Sequence, residues 1–213
     1  KDPKHDLYKH VDTIRNKYGK ATNFTVAYVG SAYTLAENLL IPKEMAEGIM
    51  SNAMSLYKRV PIWQQEVIEF AKEHGYSQTA YGNRRHATKE LWSSDMKAVS
   101  RMGRQLVNAT VQGTAADILK VLRQKVRERD IVQRYSLRGV KPVYDEFTAS
   151  VPLRLAKDYI LEMTQLMRIT PPGYPVHLEV DVEVGFSWGS QIELKDLSAE
   201  GIEKSLEELA DGR

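Results

Sequence analysis

The chain has 213 residues, 42% hydrophobic and 27% charged, with a formal net charge of +2. That length allows one large domain or two small ones with a real core, in an ordinary globular composition. No run approaches bilayer-spanning length, and zero cysteines exclude disulfides and thiol zinc sites and suit a reducing, cytoplasmic compartment. The five histidines show no ligand spacing, and the chain opens on Lys1 rather than Met, as a piece of a longer protein would.

Residues 11–28 read as a helix whose weak point is Gly19, and 31–40 as a shorter helix. Pro42 falls in the first turn of the next helix, which runs to about Val60. Pro61 kinks or restarts it, and it continues from Trp63 to Glu73 before the His74-Gly75 stop. Tyr76 to Tyr81 reads as a short strand ending at Gly82. A long helix is predicted from about Ser94 to Arg127, with Met102, Leu106, Ala109, Ile118 and Leu122 at helical spacing. Val140–Tyr144 and Phe147–Val151 read as a hairpin bent at Asp145-Glu146. Leu153 to Arg168 is helical, His177 to Gly185 alternates as a strand, and Ser198 to Ala210 is an acidic amphipathic helix. These elements make an α+β fold, mostly helices with a small antiparallel sheet.

Charge is unevenly spread. Arg84, Arg85, Lys89, Lys97, Arg101 and Arg104 face only Glu90 and Asp95 in their stretch, whereas the chain from Glu179 onward is strongly acidic. A basic nucleic-acid groove with an acidic periphery has this distribution, and so does ordinary clustering on a solvated surface.

Three sets of side chains could carry chemistry. Lys20, Phe24 and Tyr28 recur every four residues, so one helix face would offer an ammonium, a ring and a phenol. A point charge suits phosphate and ring faces suit bases, although a half-buried amphipathic helix with a snorkelling lysine has the same pattern. Arg104, Asn108 and Gln112 repeat that spacing on the long helix. Carboxamides both donate and accept, which fits sugar and base edges, and Arg fits phosphate; a solvated polar face is the alternative. Gly113, costly in a helix, is tolerated where another backbone comes close. The third set is Asp145-Glu146, whose oxygens on a rigid hairpin are what Mg²⁺ chemistry on phosphates needs. Two-metal chemistry normally draws carboxylates from two segments; Asp181 and Glu183 alternate on the last strand, but nothing else marks them. The chain has no Walker-type loop, GxSxG, HExxH or GxGxxG.

In order along the chain, five strings resemble the family A (Pol I-like) DNA polymerases. N-K-Y-G-K-A-T-N-F-T-V-A-Y-V resembles the family's fingers-helix motif, basic-x3-Lys-x3-Phe-x3-Tyr-Gly, and runs on through S-A-Y-T-L-A. Y-G-N-R-R resembles a Gly-Arg-Arg-Arg turn, and N-A-T-V-Q-G-T-A-A-D-I-L-K is very close to the family's N-A-P-I-Q-G-T-A-A-D-I-I-K. V-Y-D-E-F-T-A-S-V-P resembles the His-Asp-Glu catalytic hairpin, and V-D-V-E-V-G-F-S-W the C-terminal strand. The resemblance covers roughly residues 11–190.

The resemblance implies a helical fingers region (1–93), a palm-like region with the long helix and catalytic hairpin (94–190) and an acidic tail (191–213). It implies dNTP and primer-template DNA as partners, no membrane, and two Mg²⁺ ions as cofactor. Lys20 would contact the triphosphate and protonate the leaving pyrophosphate, with Phe24 near sugar and base and Tyr28 beside the template. Arg84, Arg85, Arg104, Asn108 and Gln112 would bind DNA, and Asp145 with Glu146 would bind metal. Asn16 stands where the family places an Arg one turn before the lysine, so the γ-phosphate contact passes to Arg15 or Lys17. Thr25 and Val29 replace family glycines, and Tyr144 replaces the hairpin histidine while keeping a hydroxyl for the primer terminus. His5 is a candidate for a further triphosphate contact, and the divergence is phage-like. The family's other metal-binding Asp lies in a D-Y-S-Q-I-E-L-R-like strand upstream of the fingers, before this chain begins. G-S-Q-I-E-L at 189–194 lacks the Asp-Tyr and is read as coincidence. The chain is therefore expected to work with the upstream polymerase segment or a second subunit. Two rivals are a single-subunit phage RNA polymerase, against which Q-G-T-A-A-D and Glu146 argue, and a catalytically silent DNA-binding subunit.

Overall fold

The computed structural model describes residues 6–143 and 145–212; Tyr144 and His5 lie outside them. Helices dominate: α1 (Asp6–Thr13), a π-helical turn (Ile14–Gly19), α2 (Lys20–Ala27), α3 (Ala32–Leu39), α4 (Lys43–Leu56) and α5 (Arg59–His74). Two short strands follow, β1 (Tyr76–Gln78) and β2 (Arg84–His86), then a 3₁₀ turn (Lys89–Trp92) and the long α6 (Met96–Glu128). The remainder is α7 (Ile131–Arg134), β3 (Arg138–Val143), β4 (Glu146–Ser150), α8 (Leu153–Met167), β5 (Glu183–Val184), β6 (Ile192–Glu193) and α9 (Ala199–Asp211). The strands pair antiparallel as β1-β2, β3-β4 and β5-β6. The class is α+β, as the element pattern predicts.

The chain divides into two compact units, one ending at Gly113 and the other beginning at Thr114, so α6 belongs to both. In the first unit Val26, Leu35, Leu39, Ala46, Met50 and Ala53 bury the faces of α2, α3 and α4. A second cluster of Ala71, Leu91, Met102 and Leu106 joins α5 to the start of α6. The buried Ser77 hydroxyl donates to the Leu106 carbonyl at 3.0 Å, which ties the β1-β2 hairpin to α6. In the second unit the core is built on Leu122, Val126, Ile131, Tyr159, Ile160 and Met163, and α9 closes it with Ile202 and Leu206. The acidic tail is thus a packed helix, N-capped by Ser198, whose hydroxyl oxygen accepts from the Gly201 N–H.

Helix ends follow their local chemistry. Gly75 stops α5 in the left-handed conformation at φ 82, where glycine has no steric penalty. The end of α2 has the same geometry with a less suited residue. Val29 takes φ 56, its N–H donates to the Val26 carbonyl at 3.3 Å, and the Gly30 N–H donates to that of Thr25 at 2.7 Å. This pair of bonds is a Schellman motif with a β-branched residue at its left-handed position. Leu40 ends α3 likewise, at φ 56. Pro61 lies in the first turn of α5, where no intrahelical N–H bond is lost.

Four predicted elements need correction. The helix after Pro42 ends at Leu56 rather than Val60 and restarts at Arg59. The helix across 11–28 contains the π turn. Tyr76–Tyr81 is strand only to Gln78, and it pairs with Arg84–His86, a basic run that does not read as a strand. Of His177–Gly185 only Glu183–Val184 is laddered, opposite Ile192–Glu193. Alternation marks a half-buried extended chain, but a ladder needs repeated bonds to a partner strand, and residues 177–182 have isolated ones, from the Leu178 N–H to the Ile169 carbonyl and from the Leu194 N–H to the Val182 carbonyl.

Candidate functional site

Lys20 opens α2, Phe24 follows one turn later, and Tyr28 is the first residue past the helix at φ −100 and ψ 22. The four-residue spacing survives this exit. The Phe24 and Tyr28 rings lie 5.9 Å apart by centroid with planes 5° from parallel. Phe24 is 57% exposed and Lys20 is also exposed, so this face is not the core side of the helix. The core side is Thr22, Thr25 and Val26. The snorkelling-lysine reading required these rings inside, and Phe24 is outside.

The π turn before Lys20 buries none of its residues. Arg15, Asn16 and Lys17 are all exposed. The Asn16 side-chain amide donates to the Asp12 carboxylate at 2.8 Å, and the Lys17 ammonium lies 5.6 Å from the centre of the Tyr18 ring.

On α6, Arg104 and Gln112 are exposed and Asn108 is half-buried. The Asn108 Oδ1 is shielded from solvent without a hydrogen-bond partner among the described residues. An acceptor left so costs about 1–3 kcal/mol, a cost usually tolerated for function or for a bound water. The close approach predicted at Gly113 is made by a side chain: a Cβ there would come 2.7 Å from the Thr79 methyl, at the end of the β1-β2 hairpin. That hairpin also carries the two predicted phosphate-binding arginines. The Arg84 guanidinium stacks 4.3 Å from the centre of the Tyr76 ring, and Arg85 donates to the Gln105 side-chain oxygen at 3.1 Å. Arg101 pairs with Glu90 at 2.9 Å, so the basic cluster is partly neutralised. Tyr76 and Gln105 had no signal in the sequence, because the strand that brings Arg84 and Arg85 to them was not legible there.

In the second unit the β3-β4 hairpin pairs Val143 with Glu146 and Pro142 with Phe147, which leaves Asp145 at the bend. Asp145 and Glu146 are both exposed, and no ion pair among the described residues engages either. Both line a cavity of about 570 Å³ together with Phe147, Tyr159, Asp181 and Glu183. Burial pushes the Tyr159 phenol up to about 12, so it lines the cavity as a neutral group. The structure thus brings Asp181 and Glu183 to the same cavity as the hairpin carboxylates. Among the described residues no group of three or more His, Cys, Asp or Glu is gathered closely enough to hold a metal ion. No helix among them is long and apolar enough to cross a membrane.

The family that the strings resemble is the one that comparison to known proteins finds. A model of DNA polymerase family A matches residues 5–190. The chain belongs to DNA polymerase family A. It is 30% identical over 180 residues to the thermostable DNA polymerase I of Thermus aquaticus, covering 84% of this chain and 21% of that protein. It is 32% identical over 173 residues to the DNA polymerase I of Mycobacterium leprae, covering 80% of this chain and 19% of the relative. Among solved structures it is similar to the POL domain of Pol1 from M. smegmatis in complex with DNA primer-template and dNTP. That match has a TM-score of 0.67 and 30% identity, over 75% of this chain and 28% of the other. The chain spans 19–21% of the length of such curated relatives.

Proposed function

We propose that this chain is the fingers and C-terminal palm portion of a template-directed DNA polymerase, with fingers over 1–93, palm over 94–190 and an acidic tail over 191–213. The observation that carries the reading is the open face of α2, where Lys20 stands one turn before two parallel aromatic rings. An ammonium suits the phosphates of a dNTP, and ring faces accept any base. In the reaction the primer 3′ oxygen attacks the α-phosphate of the dNTP and pyrophosphate leaves, with Lys20 placed to give it a proton.

Arg15, Asn16, Lys17, Lys20, Phe24 and Tyr28 form the nucleotide side of the site. Arg84, Arg85, Arg104, Asn108 and Gln112 contact primer-template DNA, and Tyr144 holds the primer terminus. Exposed arginines on a hairpin and an amide oxygen awaiting a donor suit phosphate and base-edge contacts respectively.

Asp145 and Glu146 are hard oxygen donors free of ion pairing, which suits Mg²⁺. Bound there, the ion would stabilise charge on the phosphate oxygens and acidify the primer hydroxyl. Two carboxylates are only part of a two-metal shell. The rest comes from other polymerase polypeptide, joined to this chain or supplied as a second subunit, and from phosphate and water.

A chimera tests the proposal: residues 5–190 replace the matching stretch of the Thermus aquaticus polymerase, and primer extension is assayed with Mg²⁺ and dNTPs. Extension is expected, with Asp145→Ala reducing it by at least a thousandfold and the isolated chain inactive. Extension retained by Asp145→Ala would sink the catalytic assignment, and extension by the isolated chain would remove the need for a further carboxylate.

A further inference from the structure

Strand alternation puts the two arginines of the β1-β2 hairpin on opposite faces. Successive side chains of a strand point to opposite sides, so Ser77 and Arg85, partners across the ladder, share one face. That face is fastened to α6. The Ser77 hydroxyl donates to the Leu106 carbonyl at 3.0 Å, and Arg85 donates to the Gln105 side-chain oxygen at 3.1 Å. Tyr76, Arg84 and His86 fall on the other face. Arg84 pairs with Gln78, so Tyr76 is its diagonal neighbour, within reach of a long side chain. The Tyr76 ring is held edge-on by Phe70 of α5, at 5.6 Å and 82°, and by His86 at 6.1 Å and 64°. Phe70 in turn stacks on His74 at 4.1 Å. The end of α5 thus fixes the ring, and the ring holds the Arg84 guanidinium 4.3 Å from its centre.

A stacked guanidinium uses its face and keeps its edge. Its N–H donors lie in its own plane, clear of the ring contact, and no ion pair among the described residues takes them. Arg84 is exposed, so that edge is open to a ligand. Arg85 gives part of its own edge to Gln105. Resting on the DNA-binding reading of Arg84, we infer that Tyr76 is a positioning residue that orders Arg84 in advance for a backbone phosphate of the DNA. An unrestrained arginine loses rotamer freedom when it grips a phosphate, and one stacked on a fixed ring has lost much of it on folding. The free edge then takes two phosphate oxygens at once.

Equilibrium binding of a labelled primer-template duplex to the full 213-residue chain, run as a double-mutant cycle on Tyr76 and Arg84, tests this. Arg84→Ala is expected to weaken binding about tenfold and to lower the slope of log affinity against log salt by about 0.9, as loss of one phosphate contact does. Tyr76→Leu should weaken binding about threefold at an unchanged slope, because the charge remains. Tyr76→Phe keeps the ring and should bind as the parent does. In the Arg84→Ala background Tyr76→Leu should change nothing further. The inference is overturned, and the DNA reading of Arg84 stands, if Tyr76→Leu costs nothing, costs as much without Arg84, or is matched by Tyr76→Phe. If the duplex does not bind, or Arg84→Ala changes neither affinity nor slope, both fall.

Discussion

The Gln64 side-chain amide donates to the carbonyls of Val26 and Ala27, at 2.8 and 3.2 Å, from 38 and 37 residues further along the chain. These are two of the last carbonyls of α2, where the regular i→i−4 ladder runs out and Val26 accepts a helix-end bond from the Val29 N–H at 3.3 Å. Gln64 on α5 thus caps the far end of the helix that presents Lys20, Phe24 and Tyr28, and sets where its final turn lies.

Replacing Gln64 by Leu removes both bonds and leaves the Val26 carbonyl with the longer 3.3 Å bond from the Val29 N–H. Stability should fall by about 1–3 kcal/mol. Urea unfolding of the variant should show a lower midpoint at an unchanged slope.

Leu40 ends α3 in the left-handed conformation while 88% exposed, so its side chain gains almost nothing from burial. Left-handed backbone costs an L residue about 1–2 kcal/mol, part of which glycine gives back as unfolded-state entropy. Leu40→Gly should therefore stabilise by about 0.5–1 kcal/mol, read as a rise in thermal midpoint. Val29, at φ 56 but partly buried, should gain less.

Two helical glycines should respond oppositely to alanine. A Cβ on Gly48 meets nothing within 4 Å, so Gly48→Ala should gain about 1 kcal/mol from helix propensity alone. A Cβ on Gly113 would meet the Thr79 methyl at 2.7 Å and push the hairpin from α6. Overpacking of about 1–3 kcal/mol offsets the same gain, so Gly113→Ala should be neutral or destabilising in parallel denaturant titrations. Equal stabilisation of both would show that Thr79 yields freely.

Acid sensitivity should centre on Glu162. Burial pushes its carboxyl up, but the Tyr135 hydroxyl at 2.7 Å and the Arg134 guanidinium at 3.0 Å outweigh burial and hold it below the ordinary value. A depressed folded value means stability that is present above about pH 4.5 and lost as pH falls through the folded pKa. Glu162→Gln should lower stability at pH 7 by about 1 kcal/mol, discounted for the exposed arginines, and should flatten the acid limb of the stability profile.

With Tyr135, whose phenol is also pushed up by burial, Tyr159 contributes to the alkaline limb. Its folded value, pushed up to about 12 by burial, lies above the ordinary 10. The corresponding stability is complete below pH 10 and is lost as pH rises from there through the folded value. Tyr159→Phe should remove that pH dependence, measured by unfolding at a series of pH values.

Much of this molecule is legible in its sequence. Helical periodicity located α4, α5, α6, α8 and α9, Gly75 marked a stop, and Asp145-Glu146 marked the bend of a hairpin. Those signals act within a turn or two of their own residues, as propensity, capping and turn chemistry do. The strings around Lys20, Gln112 and Asp145 likewise pointed to the family that comparison shows.

Tertiary structure decided what depends on partners distant in sequence. Arg84–His86 became a strand because Tyr76–Gln78 lay opposite, whereas residues 177–182 make isolated backbone bonds, such as Leu194 N–H to the Val182 carbonyl at 2.8 Å, and no ladder of their own. Gln64 found its carbonyls across nearly forty residues, and Asp181 met the Asp145 hairpin at one cavity. The π turn is local, yet its register rests on which carbonyl the Lys20 N–H selects. Residue types alone do not choose between a bond four residues back and one five back. Which side chains this protein carries was written in its sequence; which of them share a face was decided by hydrogen bonds that only the folded backbone could make.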